Sequence, residues 1–339
     1  MSLNLLVFNQ RFPPGKKSAS HPAVMLSSYL DIARFCAALF VILSCIVHPA
    51  YADADKNFNL REVARGIYVH QGKHVTFENP DHDDIANIGF IVGEKCVAVI
   101  DTGGSLRTGG KLKNAVRNIT RLPVCYVINT HIHYDHVLGN FAFLDKDTKF
   151  IGHHELPAEI EENRHFFLQQ FGSDLGPGAT EKSIIGPDIT VNDSMKLDLG
   201  RRTLILTAYG PAHSYSDLSV YDPETGTLWL ADLLFMDRIP ALDGDLKGWI
   251  DVMNKLTTMP AKRVVPGHGP ASAAWPEAAD AEMHYLNTLL IQTRSSIAQG
   301  QSMEEATENV GKDEKKHWLL YEQHHKRNVS KAYTQLEWE

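Results

Sequence analysis

Val127-Ile128-Asn129-Thr130-His131-Ile132-His133-Tyr134-Asp135-His136 is an apolar strand that ends directly in three imidazoles and a carboxylate. Because no turn separates the apolar run from the polar cluster, those side chains collect at the strand's C-terminal end. Neutral imidazole is a good ligand for zinc or iron, and a carboxylate is a harder ligand that also accepts protons. Histidine supplies 17 of the 339 residues, too few for composition alone to build this spacing. His131 and His133 project to one side of an extended turn, whereas Asp135 and His136 fall at the start of the next helix. The segment is thereby suited to serve two neighbouring ions.

Four ligands do not fill two metal sites, so further ligands are required at comparable strand ends. Three places supply them. The apolar run 203–207 leads through Ala208-Tyr209-Gly210-Pro211-Ala212 to His213, the run 227–230 ends in Ala231-Asp232, and the run 263–265 ends in Pro266-Gly267-His268-Gly269. In a layered sheet fold, residues just past the strand C-termini gather at one edge, where ligands bind.

Other short Val- and Ile-rich runs predict strands over 66–70, 88–92, 96–100, 124–129, 149–152 and 218–221, with DPETG as a hairpin turn after the last. Helical periodicity covers 106–119, 157–171, 246–257, 277–298 and 317–336. Alternating strands and helices imply a layered α/β class, with 277–339 as a helical C-terminal extension packing on the core.

The chain is 43% hydrophobic and 22% charged, with a formal net charge of −8. That composition excludes disordered, collagenous and multi-span membrane classes. The stretch 35–47, FCAALFVILSCIV, follows Arg34 and precedes Ala50-Tyr51-Ala52. It is short for a membrane span and has the shape of a signal-peptide core with a small-x-small cleavage pattern. The expectation is a signal peptide over 1–52 with cleavage after Ala52, translation starting at Met1 or Met25, a catalytic domain over 53–276, and a periplasmic or secreted product without stable membrane association. Beyond Ala52 the chain has 29 basic and 40 acidic residues, a net −11, which disfavours nucleic acid as a partner. Cys96 and Cys125 remain after cleavage, either paired or as two buried thiols.

Taken together, His131, His133, Asp135, His136, His213, Asp232 and His268 match the pattern of the metallo-β-lactamase superfamily, which the sequence resembles over roughly 59–270, Val99-Ile100-Asp101-Thr102-Gly103 included. The resemblance implies an αββα sandwich with the metal site at one rim. It implies that His131, His133 and His213 hold one ion, that Asp135, His136 and His268 hold a second, and that Asp232 bridges them. Asp101 and Asp217 become candidates for orienting a ligand imidazole from behind. Two Zn2+ per chain are expected. A water between them would lose its proton near neutral pH and attack a small-molecule electrophile, with Asp135 steadying the nucleophile and passing the proton on.

Departures within the family narrow the choice. The familiar zinc β-lactamases carry Cys or Ser where Asp232 stands, which disfavours β-lactam hydrolysis and makes the chain more similar to glyoxalase II, lactonases and alkylsulfatases. Flavo-diiron oxygen reductases place Glu at the position of His133. The export signal, the loop Phe77-Glu78-Asn79-Pro80-Asp81-His82, and Asn328-Val329 with Ala332-Tyr333 resemble the SoxH-like metallohydrolases of quinoprotein relay systems, which implies a periplasmic quinoprotein dehydrogenase as partner. Two rivals stand beside the hydrolase: a mononuclear iron sulfur dioxygenase that uses His131, His213 and Asp232, and a metal-binding accessory protein without catalysis. Residues 71–84 form a loop that either overhangs the metals or is a solvated excursion, the aromatics from Phe166 to Phe171 fit the buried face of an amphipathic helix better than a pocket wall, and His324 and His325 read as surface residues.

Overall fold

The computed structural model describes residues 58–339, and the export signal expected over 1–52 lies outside them. Two sheets carry the fold. The first contains β1 (Leu60–Ala64), β2 (Ile67–His70), β3 (Ile88–Val92), β4 (Val97–Ile100), β5 (Val124–Ile128), β6 (Lys149–His153) and β7 (Ile189–Val191), paired in that order. It is antiparallel up to β4 and parallel from β4 to β7. The parallel half needs crossovers, which α1 (Leu106–Ile119) supplies between β4 and β5, and α3 (Leu156–Phe171) between β6 and β7. Between them lies α2 (Tyr134–Val137), one short turn directly after β5.

The second sheet contains β8 (Ser194–Asp198), β9 (Thr203–Ala208), β10 (Leu218–Asp222), β11 (Thr227–Phe235), β12 (Arg263–His268) and β13 (Ala273–Ala274), again in sequence order across the sheet. The β11–β12 pair is parallel, bridged by α4 (Leu246–Leu256). The C-terminal helices are α5 (Asp280–Ala298), α6 (Met303–Asn309) and α7 (Tyr321–Leu336).

Period-two alternation decides which face each strand gives to which layer. Along β4, Ala98 and Ile100 enter the core between the sheets with Leu204, Leu206, Val220 and Trp229, whereas Val97 and Val99 face outward onto Leu112 and Val116 of α1. Likewise Leu228 and Leu230 of β11 face a second outer core built from Trp249 and Met253 of α4, Tyr285 and Leu289 of α5, and Val329 and Ala332 of α7. The result is a four-layer α/β/β/α sandwich with the C-terminal helices on the second sheet's outer face. Each fully buried Trp or Phe in these cores accounts for about 3–5 kcal/mol if cut to Ala. Among the described residues no helix is long and apolar enough to cross a membrane.

Strands β1, β7 and β13 and helix α6 carry no clear apolar period, β8 alternates but with only two apolar positions, Met195 and Leu197, and the sequence reading passes over all of them. Another difference concerns Asp232. The sequence places it just past a strand end, but β11 continues to Phe235 and Asp232 lies inside it. The register with β12 shifts on both sides of Ala231, whose φ is +46°. That bulge turns the Asp232 carboxylate out of the alternation and toward the sheet rim. Cys96 and Cys125 are free thiols, the first buried, with burial and the neighbouring Cys125 pushing the Cys96 thiol up to about 12.

Candidate metal centre

His131, His133, His213 and Asp232 offer one ligand atom each within 4.8 Å of one another, and so do Asp135, His136 and His268. The seven residues expected from the sequence therefore lie together at one rim of the sandwich. Six of them are buried, and His133 is half-buried. His133 Nδ1 stands 3.1 Å from His131 Nε2 and 2.9 Å from His213 Nε2. Asp232 Oδ2 lies 3.7 Å from His131 Nε2, 3.5 Å from His213 Nε2 and 3.3 Å from His268 Nε2, while Oδ1 is 3.1 Å from His136 Nε2. One carboxylate thus faces both groups. Asp135 Oδ2 joins the second, 3.4 Å from His268 Nε2 and 3.6 Å from His136 Nε2.

The opposite nitrogen of each ring settles which tautomer is present. His136 Nδ1 donates to Asp101 Oδ2 at 2.8 Å, His133 Nε2 to Asp243 Oδ2 at 2.9 Å, His213 Nδ1 to the Ala241 carbonyl at 2.7 Å and His268 Nδ1 to the Ile85 carbonyl at 2.8 Å. Thr130 Oγ1 donates to Asp101 Oδ2, so it accepts from His131 Nδ1 at 3.0 Å. In their neutral forms all five imidazoles therefore turn an unprotonated nitrogen inward, with His133, raised against burial by Asp243, and His136, raised against burial by Asp232, the two that most readily take up positive charge there. Lone pairs at about 3 Å with no proton between them repel, and a cation is what makes the arrangement favourable. His136 Nε2 and Asp232 Oδ1 are buried with no hydrogen-bond partner, as ligand atoms reserved for a metal would be. This donor set fits two divalent ions.

The field agrees with the geometry. Burial holds the His131 imidazole well below its usual value and brings His213 down to about 4, so both stay neutral. For His136, burial pulls down but Asp232, Asp135 and Asp101 outweigh it and raise proton affinity well above normal. Positive charge is wanted at Nε2, and a cation supplies it. Burial would raise Asp232, yet His268, His136 and His131 overcome it and keep the carboxylate ionised.

Asp101 does more than orient one ring. It sits at φ +53° after β4, where its Oδ2 holds His136 directly and His131 through Thr130, and its Oδ1 accepts the Thr130 backbone N–H. Asp217 does not reach an imidazole. Its two oxygens accept the backbone N–H and hydroxyl of Ser214, at 2.8 and 2.7 Å, so it shapes the loop that presents His213. Burial pushes the Asp217 carboxyl up to about 7.

Several residues that matter here escape sequence reading. Asp243, behind His133, also pairs with Arg327 of α7 and lies in the irregular loop between β11 and α4. Arg238 of the same loop is buried at 6% exposure, with Nη1 3.3 Å from His268 Nδ1. That nitrogen already donates to Ile85, so it has no lone pair for the guanidinium. His324 is buried enough to drop to about 4 and accepts from Arg238 Nη2 at 3.2 Å. His325 is 2% exposed, bonded to Tyr285 and the Val310 carbonyl. His325 is not a surface residue, because α7 lays that face against the sandwich, and His324 is half-buried in the cavity wall. Above the centre a cavity of about 890 Å³ is lined by Val75 to Glu78, Phe166, Phe167 and Phe171, Arg238, and residues of α7, so both the 71–84 loop and the aromatic helix do wall it.

Residues 83–268, more than half of the chain, match the family model described as the metallo-beta-lactamase superfamily. Among solved structures, a metallo-beta-lactamase from Pontibacter korlensis is 20% identical with a TM-score of 0.55, over 68% of this chain and 98% of its own. The stereoselective inverting sec-alkylsulfatase Pisa1 from Pseudomonas sp. is 18% identical with a TM-score of 0.62, over 82% of this chain but 50% of its own. At such identities the likeness speaks for the fold alone. With the family match covering all seven candidate ligands from His131 to His268, the chain belongs to the metallo-β-lactamase superfamily.

Proposed function

We propose that this chain is an exported, dizinc hydrolase acting on a small ester, thioester, lactone or comparable electrophile. The observation that carries it is the Asp232 carboxylate, which faces the unprotonated nitrogens of both ligand groups. A mononuclear iron site would use His131, His213 and Asp232 and leave Asp135, His136 and His268 assembled and buried to no purpose. Divalent ions bound there supply Lewis acidity, which brings the pKa of a coordinated water to about 7 and polarises the electrophile's oxygen.

The remaining steps belong to the chain. Asp101, Thr130, Asp243 and the carbonyls of Ala241 and Ile85 hold the five imidazoles in the ligating tautomer, so no reorganisation is needed when substrate arrives. Asp135 lines the cavity floor beside His136 and His268. Its free oxygen accepts the proton released as the acyl carbon gains oxygen, then returns it to the leaving group as the C–O or C–S bond breaks. Phe166, Phe167 and Phe171 shield one side from water. Ser214 takes no part, because its hydroxyl donates to Asp217.

The same proposal places the mature chain in the periplasm beside a quinoprotein dehydrogenase. The apolar stretch 35–47 with Ala50-Tyr51-Ala52 supports export, and the Asn328-Val329 and Ala332-Tyr333 pairs support the SoxH-like subgroup. The test is metal content of the purified protein by plasma mass spectrometry, run with thioester, lactone and cephalosporin reporters. Two zinc per chain with thioester or lactone turnover is the expected result. One iron with oxygen uptake overturns it.

A further inference from the structure

Arg238 is a buried cation without an anion. Among the described residues no carboxylate lies within 4.0 Å of its guanidinium. Nη1 meets a His268 nitrogen that is already a donor, Nη2 reaches the neutral His324, and Nε has no partner at all. Leaving a charge in this state costs free energy that a native fold recovers elsewhere. Arg327, also on the cavity wall, pairs with Asp243, which leaves Arg238 as the wall cation without a carboxylate partner among the described residues. The chain holds Arg238 in place deliberately: the Leu319 carbonyl accepts from the Ile239 N–H, and the Asp237 carbonyl accepts from the Leu319 N–H. Leu319, His324 and Arg327 all lie beyond residue 268, where the family match ends, so this wall belongs to the C-terminal extension.

The same cavity also presents an apolar surface. Tyr134 stacks on Phe171 with centroids 4.5 Å apart, and Phe77 meets Phe171 edge-on at 5.7 Å. Phe77 and Phe166 are 44% and 52% exposed, an unusual state for large aromatics grouped at one opening. A cavity of about 890 Å³ is ample for a chain of eight or more carbons. We propose that the cavity admits an amphiphilic monoanion, its acid group seated at Arg238 and its apolar chain laid against Phe77, Phe166 and Phe171. The proposal rests on the reading of the adjoining centre as the hydrolytic site, and it names the substrate class: a cleavable ester or thioester that carries a carboxylate, sulfonate or sulfate near the scissile bond and a hydrocarbon tail.

Calorimetric binding of octane-1-sulfonate and octan-1-ol, neither of which is cleaved, tests recognition apart from turnover. Titrations use the purified chain as isolated and again after chelation of metals. The sulfonate is expected to bind about tenfold more tightly than the alcohol in both states, the advantage of a charge-assisted hydrogen bond. Arg238→Met abolishes the difference and leaves octanol binding within about twofold. Arg238→Gln, which keeps a polar side chain and so is gentler on folding, gives the same loss, and Arg238→Lys keeps part of the preference. Equal binding of the two probes, a preference that survives Arg238→Gln, or one that vanishes on chelation overturns the proposal. Absence of turnover with every reporter, while the Arg238-dependent preference persists, sinks the hydrolase reading instead.

Discussion

His131, His133, Asp135 and His136 leave the end of β5 within six residues, whereas His213, Asp232 and His268 come from three separate places in the other sheet. The first group is placed by local geometry. An extended turn and one helical turn fix the four side chains, with Asp101 behind two of them. The second group is placed by packing: His213 by a loop closed on Asp217, Asp232 by the Ala231 bulge, and His268 by the parallel register of β12 with β11. A contiguous motif tolerates small shifts of the sheets as a unit, but ligands gathered from separate strands do not. Perturbations of the second sheet should therefore separate the two halves, and perturbations behind the β5 loop should weaken both together.

The largest effect is expected where β11 and β12 approach most closely. A Cβ at Gly267 would lie 1.9 Å from Asp232 Oδ1 and 2.6 Å from the Ala231 carbonyl carbon. Gly267→Ala must push the bridging carboxylate or the strand aside, at a cost of about 1–3 kcal/mol from overpacking. The expected outcome is a protein that still folds but binds one ion where the parent binds two, measured by metal titration with melting curves. Two ions bound at parental affinity would show that the bulge has slack and that the scattered half is no more fragile than the contiguous one.

Asp101→Ala comes next. It strips the acceptor from His136 and, through Thr130, from His131, rings that the proposed dinuclear centre assigns to different ions. Loss of one such partner weakens metal binding about 10–100-fold, and here both ions should weaken toward the upper end. If competition with a chelating dye shows only one ion affected, the chain through Thr130 does not orient His131.

These two residues also mark how far the sequence could be read. Each of the seven ligands follows an apolar run that is visible in the sequence, although β11 runs on past Asp232, and the β3 and α1 boundaries match the observed elements. The position of Asp101 was visible as a strand-end acid, but its second link needed coordinates. Arg238 and Asp243 were illegible because an irregular loop has no period, and their partners lie on α7, some eighty residues later. His324 looked like a surface residue because α7 is polar on average. Only the packed helix shows which of its polar groups face inward.

Asn328 of α7 offers a gentler perturbation of the scattered half. Its side chain accepts from the Leu242 N–H and donates to the Pro240 carbonyl, gripping the chain on both sides of Ala241, whose carbonyl orients His213. Asn328→Ala should weaken the ion held by His131, His133 and His213 about tenfold and leave the other within about threefold. Equal weakening of both would mean that α7 supports the rim as a whole rather than this loop.

The smallest effect concerns Glu282 of α5, wholly buried, with Oε1 accepting the Phe235 N–H at 2.8 Å and Oε2 unpartnered. Phe235 stacks on His268 at 5.0 Å, so this carboxyl secures the end of β11 from the outer layer. Burial raises its pKa well above the ordinary carboxylic value, and nearby Asp232 adds to it. An acid whose folded pKa is raised contributes stability below its unfolded pKa, about 4.3, and loses it as pH climbs toward the folded value. Glu282→Gln keeps an acceptor for Phe235 and removes the titration. The variant should match the parent near pH 4.5 and gain on it progressively above that, by about 1 kcal/mol per pH unit until the folded pKa is reached, as read from denaturant unfolding at stepped pH. A gap that does not change with pH would show that Glu282 is already ionised in the fold. An ionised Glu282 would still accept the Phe235 N–H, so the outer layer would then anchor the end of β11 through a charged hydrogen bond, and the second sheet's half of the centre would lean on α5 at every pH.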